Sequence, residues 1–146
     1  MKPKYELLST FKTKNEKETF CAAQNFSSNF SGGEIVVLFG DIGAGKTVFV
    51  SGIAKGLKCS KKPISSSFNL ARIYKGEKIS LAHFDLFRLK NPKEVDFGLE
   101  DYLSKDYVVA IEWPLPAESV YSRFSHHKVV INLKGKDKRE IKIYES

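Results

Sequence analysis

The segment from Gly40 to Thr47 fits the pattern G-x-x-x-x-G-K-[ST] and restricts the possible folds more strongly than any other part of the sequence. An apolar, β-branched run at residues 34–39 precedes it, and residues 47–57 follow with a composition typical of a helix. Strand, glycine-rich turn and helix is the order in which this pattern forms a phosphate-binding loop, or P-loop. The sequence therefore predicts an α/β fold built around such a loop.

The residue types of this loop suit a polyphosphate bound together with Mg²⁺. Glycines at positions 40, 43 and 45 allow a tight turn whose N–H groups point at phosphate oxygens. The N-terminus of the following helix adds partial positive charge. Lys46 is placed to reach the β- and γ-phosphates, and the hydroxyl of Thr47 to coordinate Mg²⁺.

The rest of the pattern predicts a sheet with few long helices. Besides the helix after the loop, a helix capped by Asn15 should extend to about Phe26, and short helical pieces should lie within residues 92–103. Strands are predicted at residues 4–8, 34–39, 68–74, 79–85, 107–112, 128–133 and 139–144. We therefore expect a single P-loop NTPase domain over residues 1–146, with a mixed, mostly parallel central sheet flanked by helices.

The composition favours some kinds of binding partner over others but does not identify one. The 24 Lys and Arg against 17 acidic residues give a net charge of +7, which favours an anionic partner such as nucleotide, RNA or an acidic protein face. No apolar run approaches the roughly 20 residues that cross a bilayer, so we expect a cytoplasmic protein without membrane contact. Cys21 and Cys59 lack the spacing of a metal site and are expected to be reduced, partly buried thiols.

Two carboxylates follow apolar strands and are candidates for the metal side of the site. Asp85 ends the predicted strand 79–85, and Glu112 ends the strand 107–112. Ligands in open α/β sheets sit at the carboxyl ends of strands, so either residue could hold Mg²⁺ and the other could position the attacking water. The pattern does not say which. His83 is interpreted as a strand residue with a satisfied ring rather than a ligand.

A hydroxyl cluster, Ser65 to Ser67, stands directly before a predicted strand. Such a loop could close over the γ-phosphate and the metal, which makes Ser65 and Ser67 candidate switch residues, although an ordinary polar loop would look the same. No N-K-x-D segment occurs, and a guanine-specific site needs that Asp, so ATP is favoured over GTP.

Several strings in chain order resemble one family. They are the P-loop, Ser65 to Phe68, the string HFDLFRL at residues 83–89, Gly98 to Tyr102, and IEWP at residues 111–114. Together they look like the signature of the TsaE family, formerly called YjeE, over residues 16–144. That family is the ATPase of bacterial tRNA N6-threonylcarbamoyladenosine synthesis.

The resemblance implies an ATP and Mg²⁺ site and its partners. Thr47 and Glu112 would ligate Mg²⁺, and Asp85 would be needed for hydrolysis. Glu16 would lie on the adenine side, the turn at Lys138 and Arg139 would approach the nucleotide, and Trp113 is a candidate adenine or partner contact. The phosphates would be bound by Ile42, Gly43, Ala44, Gly45, Lys46 and Thr47. Turnover would be weak alone and stimulated by TsaD and TsaB, with tRNA taking part indirectly through the complex.

This sequence departs from the family pattern at three places. The family has Ser-Pro-Thr where Ser65 to Ser67 stand, so this loop lacks the φ restriction of proline. Val48 replaces a second threonine after Thr47, and Leu115 stands where an acidic residue is common.

Two other functions fit parts of the sequence. A small-molecule kinase could use the same loop, but such enzymes close an Arg-rich lid and this chain has four scattered arginines. A basic RNA-binding module with a structural nucleotide would account for the net charge.

Overall fold

The computed structural model describes residues 4–65, 71–89 and 98–146, with Ser65 described in its main chain only. Three α-helices lie in these ranges: α1 (Glu16–Ser27), α2 (Lys46–Gly56) and the short α3 (Glu118–Tyr121). Two 3-10 turns cover Leu99–Tyr102 and Leu115–Ala117. The strands of the described residues are β1 (Glu6–Thr13), β2 (Ile35–Phe39), β3 (Ile64–Ser65), β4 (Ala71–Tyr74), β5 (Ser80–Asp85), β6 (Tyr107–Glu112), β7 (His127–Leu133) and β8 (Arg139–Glu145).

These strands form one sheet in the order β1-β8-β7-β2-β6-β5-β4-β3. The four central strands, β7, β2, β6 and β5, run parallel, and the pairs outside them are antiparallel. This confirms the predicted α/β fold with a mixed sheet that is parallel in its centre. The arrangement puts the carboxyl ends of β2, β6 and β5 side by side at one edge.

The two central strands are apolar because both faces of the sheet are covered. All of β2 except Phe39 and all of β6 except Tyr107 are buried. On one face, Val36 and Leu38 pack with Phe49 of α2 in a single cluster. On the other face lies a second cluster, to which Leu99 and Tyr121 belong. Parallel strands of this kind need cover on both sides.

Helices α1 and α2 approach each other closely. As predicted, Asn15 caps α1, and its side chain accepts the Glu18 N–H at 2.8 Å. Gly52 of α2 lies so near α1 that a Cβ there would be 2.4 Å from the carbonyl oxygen of Phe20. A glycine is therefore needed at this crossing, and it lets α2 pack against α1 at backbone distance.

The predicted element boundaries hold best near the centre of the sheet. The first strand extends beyond the predicted residues 4–8, because β1 pairs with β8 from Glu6 to Thr13. The short β3 and α3 were not predicted. Of the predicted strand 68–74 only Ala71–Tyr74 is described, and residues 92–97 of the predicted helical pieces lie outside the described ranges.

Two smaller expectations have different outcomes. The prediction of two partly buried thiols is wrong for Cys21, which is exposed on α1, whereas Cys59 is half-buried. None of the helices in the described ranges combines the length and apolarity that a bilayer crossing requires.

Candidate nucleotide-binding site

The loop between β2 and α2 makes a tight left-handed turn. Gly43 and Gly45 have φ angles of +84° and +109°, values that L side chains rarely adopt. The Ala44 N–H donates to the Asp41 carbonyl at 3.0 Å, which closes the turn. Gly45 directly precedes the first residue of α2. The N-terminus of α2 therefore points into the loop, as the pattern of glycines predicts.

Lys46 reaches back across this loop. Its ammonium group donates to the Gly40 carbonyl and lies 3.7 Å from the centroid of the Trp113 ring. Burial lowers the pKa of Lys46, and the nearby carboxylates of Glu112, Asp85 and Asp41 partly oppose that effect. The lysine is therefore a buried cation held by a carbonyl dipole and an aromatic face.

Thr47 and Glu112 place two groups with oxygen atoms that could ligate a metal close together. Because β2 pairs with β6, the end of β6 lies beside the start of α2, and Thr47 Oγ1 is 3.4 Å from both carboxylate oxygens of Glu112. Adjacent ligands of an octahedral Mg²⁺ with its usual bond lengths lie about 3 Å apart. A hydroxyl and a carboxylate are hard oxygen donors, so this pair fits that ion.

A Mg²⁺ ion at this position would need further ligands besides Thr47 and Glu112. Within residues 4–65, 71–89 and 98–146, no group of three His, Cys, Asp or Glu side chains is placed to hold a metal. Mg²⁺ is commonly bound by one or two protein groups together with substrate phosphates and waters. A hydroxyl and one carboxylate would therefore suit a Mg²⁺ that takes its remaining ligands from phosphates and waters.

His83 fixes the carboxylate of Glu112. Its Nε2 lies 2.6 Å from Glu112 Oε2, and both side chains are only 4% exposed. Its Nδ1 is buried and has no hydrogen-bond partner in the described part of the chain. An ionised carboxylate can only accept, so in a hydrogen bond to such a carboxylate Nε2 is the nitrogen that donates. The expectation of a satisfied ring is thus met for one nitrogen only.

Asp85 lies on the same edge but in a different environment. It pairs in register with Glu112 across β5 and β6, and its Oδ1 accepts the Phe87 N–H at 3.1 Å. Unlike Glu112, Asp85 is exposed. The geometry separates the two carboxylates: Glu112 faces Thr47, and Asp85 stands at the mouth of the site.

Arg139, the first residue of β8, also contacts the loop. Its Nε donates to the Ala44 carbonyl at 2.7 Å, and its Nη1 donates to the Asp137 carbonyl at 2.8 Å. The side chain is 8% exposed, and its Nε would lie 3.1 Å from a Cβ at Gly45. Arg139 therefore holds the backbone of the P-loop.

Trp113 has a strained backbone. Its φ angle of +53° is uncommon for a residue with a side chain, and its ring packs against Phe87 with centroids 4.9 Å apart. Strain of this kind persists where the surrounding structure holds it, often at functional sites. Here it places the indole over Lys46.

The side chains of Lys46, Thr47, Glu112 and their neighbours face one cavity of about 400 Å³, and His83 lies behind Glu112, outside the cavity lining. The cavity lies at the carboxyl edge of the parallel strands, where ligands bind in such sheets. Its lining residues are Glu16, Ile42, Gly43, Gly45, Lys46, Thr47, Val48, Asp85, Phe87, Glu112, Trp113 and Arg139.

Comparison with known proteins identifies the family. Residues 13–141 match the family model described as threonylcarbamoyl adenosine biosynthesis protein TsaE. This chain belongs to the TsaE family. A TsaE protein of Rickettsia prowazekii is 37% identical over 126 residues, covering 84% of each chain, and one of Bacillus subtilis is 32% identical over 137 residues, covering 90% of this chain and 82% of that one. A crystal structure of Bacillus subtilis YdiB matches with a TM-score of 0.76 and 28% identity, over 97% of this chain and 87% of that one.

The TsaE fold brings most of the predicted site residues together. Glu16, Trp113, both carboxylates and most of the P-loop line the cavity, while Gly40 and Ala44 belong to the loop that forms its wall. Lys138 is exposed and is not among the lining residues, whereas its neighbour Arg139 is. The main chain of Ser65 lies in β3, and Ser67 lies outside the described residues.

The contact between His83 and Glu112 was not predicted. The turn at Lys138 and Arg139 was expected to approach the nucleotide, and it is Arg139 that contacts the loop. A signal existed for His83, because it lies two residues before Asp85 and so on the same face of the strand. The pairing of β5 with β6 brings His83 to Glu112, and this pairing cannot be predicted from the local sequence.

Proposed function

We propose that this TsaE-family protein binds and hydrolyses Mg-ATP in support of the threonylcarbamoyladenosine modification of tRNA at position 37, acting with TsaD and TsaB. The observation that carries the proposal is the convergence of Lys46, Thr47 and Glu112 on one cavity at the carboxyl edge of the sheet. TsaE proteins belong to tRNA threonylcarbamoyladenosine biosynthesis. The nucleotide, the metal and the partner proteins are our inference from the site.

Phosphate recognition would use Lys46 and the loop backbone. The ammonium group of Lys46 now contacts the Gly40 carbonyl and the Trp113 ring. Phosphate oxygens are stronger acceptors for an ammonium group than either contact, because they carry full charge. Binding would therefore transfer Lys46 to the β- and γ-phosphates, with the N-terminus of α2 stabilising the same charge.

The metal would be held by Thr47 and Glu112, with His83 fixing the carboxylate. Mg²⁺, when bound, neutralises charge on the β- and γ-phosphates. His83 and Glu112 are both nearly fully buried, so the orientation of the carboxylate is set by the protein before a ligand arrives.

Asp85 would orient the attacking water. It is exposed, and the described contact of its carboxylate is with a neighbouring main-chain N–H. A group in this position is poorly fixed relative to a γ-phosphate. That supports weak turnover by the isolated chain and stimulation when a partner protein orders the mouth of the site.

Apolar side chains beside the site support docking of partner proteins there. Phe87 and Leu115 are exposed and line a groove of about 290 Å³ that also includes Trp113 and Pro116. Exposed apolar patches of this kind mark contact surfaces. We infer that TsaD and TsaB act at this side, that tRNA participates through their complex, and that the protein is cytoplasmic.

The test uses two variants with opposite expectations. Lys46→Ala should abolish tight ATP binding measured by calorimetry with Mg²⁺, because the phosphates lose their buried cation. Asp85→Ala should keep ATP binding and lose the hydrolysis stimulated by purified TsaD and TsaB. Lys12→Ala, at an exposed position on β1, is the control and should change neither measurement.

The proposal fails if Lys46→Ala binds Mg-ATP as the unchanged protein does. The assignment of Asp85 alone fails if Asp85→Ala hydrolyses ATP at the full stimulated rate. Transfer of phosphate to a nucleoside or sugar would instead indicate a small-molecule kinase. Among the described residues that line the cavity, however, Arg139 is the sole arginine, and it is engaged with the Ala44 carbonyl of the P-loop.

A further inference from the structure

Nearly all of the net positive charge of this chain lies in one segment. Residues 55–79 contain seven Lys and Arg and a single acid, Glu77, whereas the rest of the chain contains 17 basic and 16 acidic residues. The segment therefore carries +6 of the total net charge of +7. A general lysine bias of the composition would spread the excess along the chain, so this concentration needs a local explanation.

The fold gathers the lysines of this segment at one end of α2. The Ser60 N–H donates to the Lys75 carbonyl at 2.7 Å, and Cys59 forms an antiparallel bridge with Gly76. These contacts hold the loop after α2 against the turn between β4 and β5. Six exposed lysines, here called the lysine surface, lie on these pieces: Lys55, Lys58, Lys61, Lys62, Lys75 and Lys78.

The lysine surface is only slightly neutralised, because Glu77 is the single acid of its segment. In the described ranges, the ion pairs join His83 to Glu112, Arg123 to Glu100 and Lys142 to Glu140, and no lysine of this surface takes part in one. Like charges held together repel one another and destabilise the compact state. Lys55 alone has a structural reason for its position, because a cation in the last turn of a helix is favoured by the helix dipole.

Lys58 is kept at a position that disfavours a side chain. Its N–H donates to the Lys55 carbonyl and the Cys59 N–H donates to the Ala54 carbonyl, which is the pattern of a Schellman motif. Its φ angle is +60°, in the left-handed region where glycine is the usual residue. A lysine therefore stands where the backbone alone favours glycine, which points to a use for its charge.

The lysine surface is separate from the nucleotide site. Lys46 starts α2 and Lys55 lies in its last turn, so the two are about 13 Å apart along the helix axis at the usual rise per residue. This separation exceeds the distance over which exposed charges interact strongly at physiological salt, about 8 Å. The bound nucleotide is therefore not the anion that this surface serves.

The chemistry of the lysine surface fits nucleic acid better than a protein face. Among the described residues of the 55–79 segment, only Ile64, at 59% exposure, is a strongly exposed large apolar side chain. Stable protein interfaces have an apolar core, whereas a phosphate backbone needs separated cations and little apolar area. Lysines act as point charges on phosphates and do not read bases, so binding would be insensitive to sequence.

We propose that the lysine surface binds the phosphate backbone of RNA directly. This goes beyond the indirect relation to tRNA through partner proteins, and it does not depend on ATP hydrolysis. In this arrangement the two ends of α2 serve two anions, with nucleotide phosphates at its N-terminus and an RNA backbone beyond its C-terminus.

The test measures binding of a fluorescein-labelled, unmodified tRNA transcript by anisotropy over a series of KCl concentrations. The first variant combines Lys58→Gln, Lys61→Gln, Lys62→Gln and Lys75→Gln. Its control removes the same charge elsewhere, through Lys4→Gln, Lys12→Gln, Lys14→Gln and Lys105→Gln, all at exposed positions. Each lost phosphate contact reduces the magnitude of the slope of log affinity against log salt by about 1. For the first variant, the magnitude of this slope should therefore fall by about 3 to 4.

The expected result is binding by the unchanged protein that weakens steeply with salt. At about 50 mM KCl we expect at least tenfold weaker binding by the first variant and a change below threefold in the control, because the control lysines do not contact the RNA. Mg-ATP affinity should be equal in all three proteins, which separates a failure here from a failure of the nucleotide site.

A single substitution separates charge from folding. Lys58→Gly replaces a strained lysine by the residue that the motif prefers, so its thermal midpoint should be equal to or above that of the unchanged protein. Its tRNA affinity should nevertheless fall by about twofold to fivefold, with a salt slope lower by about 1.

Three results would overturn the proposal. They are no tRNA binding by the unchanged protein at low salt, equal loss of binding in the two four-lysine variants, and displacement of tRNA by poly-L-glutamate at equal charge concentration. The last result would show that the surface accepts an acidic polypeptide as readily as an RNA backbone.

Discussion

Replacing His83 by alanine should weaken Mg²⁺ binding about 10–100-fold, because partners that orient a metal ligand typically contribute that much to affinity. The structure gives the reason. Nε2 of His83 lies 2.6 Å from a carboxylate oxygen of Glu112, and this carboxylate faces the hydroxyl of Thr47. Without the imidazole, the buried carboxylate loses its shorter hydrogen bond and keeps only the long contacts of 3.4 Å with the Thr47 hydroxyl, so its orientation is less well held.

The magnitude agrees with the strength of the contact. A hydrogen bond to a charged acceptor contributes about 1.5–3 kcal/mol, and each 1.4 kcal/mol corresponds to about a tenfold change in a binding constant. Alanine also leaves a cavity, so we expect the free energy of unfolding to fall by about 1–3 kcal/mol. The metal effect has to be measured separately from that loss.

The assay is calorimetry with a non-hydrolysable ATP analogue, in EDTA and then in increasing Mg²⁺. If His83 acts on the metal through Glu112, the affinity in EDTA should be unchanged by His83→Ala while the Mg²⁺ dependence shifts. His83→Gln places an amide N–H near the position of Nε2 and should restore part of the Mg²⁺ affinity. His83→Asn is too short to do so, which makes it the matched control.

His83 has no role in metal binding if His83→Ala keeps the Mg²⁺ affinity of the unchanged protein. Orientation of Glu112 by His83 is also contradicted if the glutamine and asparagine variants lose Mg²⁺ equally, because the position of the donor would then be irrelevant. Equal loss of nucleotide affinity in EDTA would point to a general structural role for His83.

Two further predictions concern Arg139 and His127. Arg139→Met removes the donor to the Ala44 carbonyl and should weaken Mg-ATP binding about tenfold, as expected for one lost charge-assisted hydrogen bond, whereas Lys134→Met should have no effect in the same titration. Burial lowers the pKa of His127, so the stability that its neutral ring contributes is complete above the ordinary pKa of about 6.5 and is lost as the pH falls toward the lowered value. His127→Phe, which can keep the stacking on Phe30, should therefore lose less thermal stability than the unchanged protein between about pH 7.5 and 5.5, and equal losses would contradict this account.

Local signals were sufficient where neighbouring residues interact mainly with one another. The cap at Asn15, the apolar run of β2 and the glycines of the loop predict helix, strand and turn through contacts within a few residues. The expected strand–loop–helix unit is therefore found with errors of one residue or none. The first strand was predicted too short, because its end at Thr13 is set by pairing with β8.

The sequence is sufficient to predict an α/β protein with a P-loop and with carboxylates at the ends of two apolar strands. The folded chain was needed to show that Glu112 faces Thr47 and is held by His83, and that Arg139 rather than Lys138 reaches the loop. It also gathered lysines separated by up to 23 residues at one end of α2. The physical reason is that strand order and register depend on pairing between distant segments, which no local pattern of residues specifies.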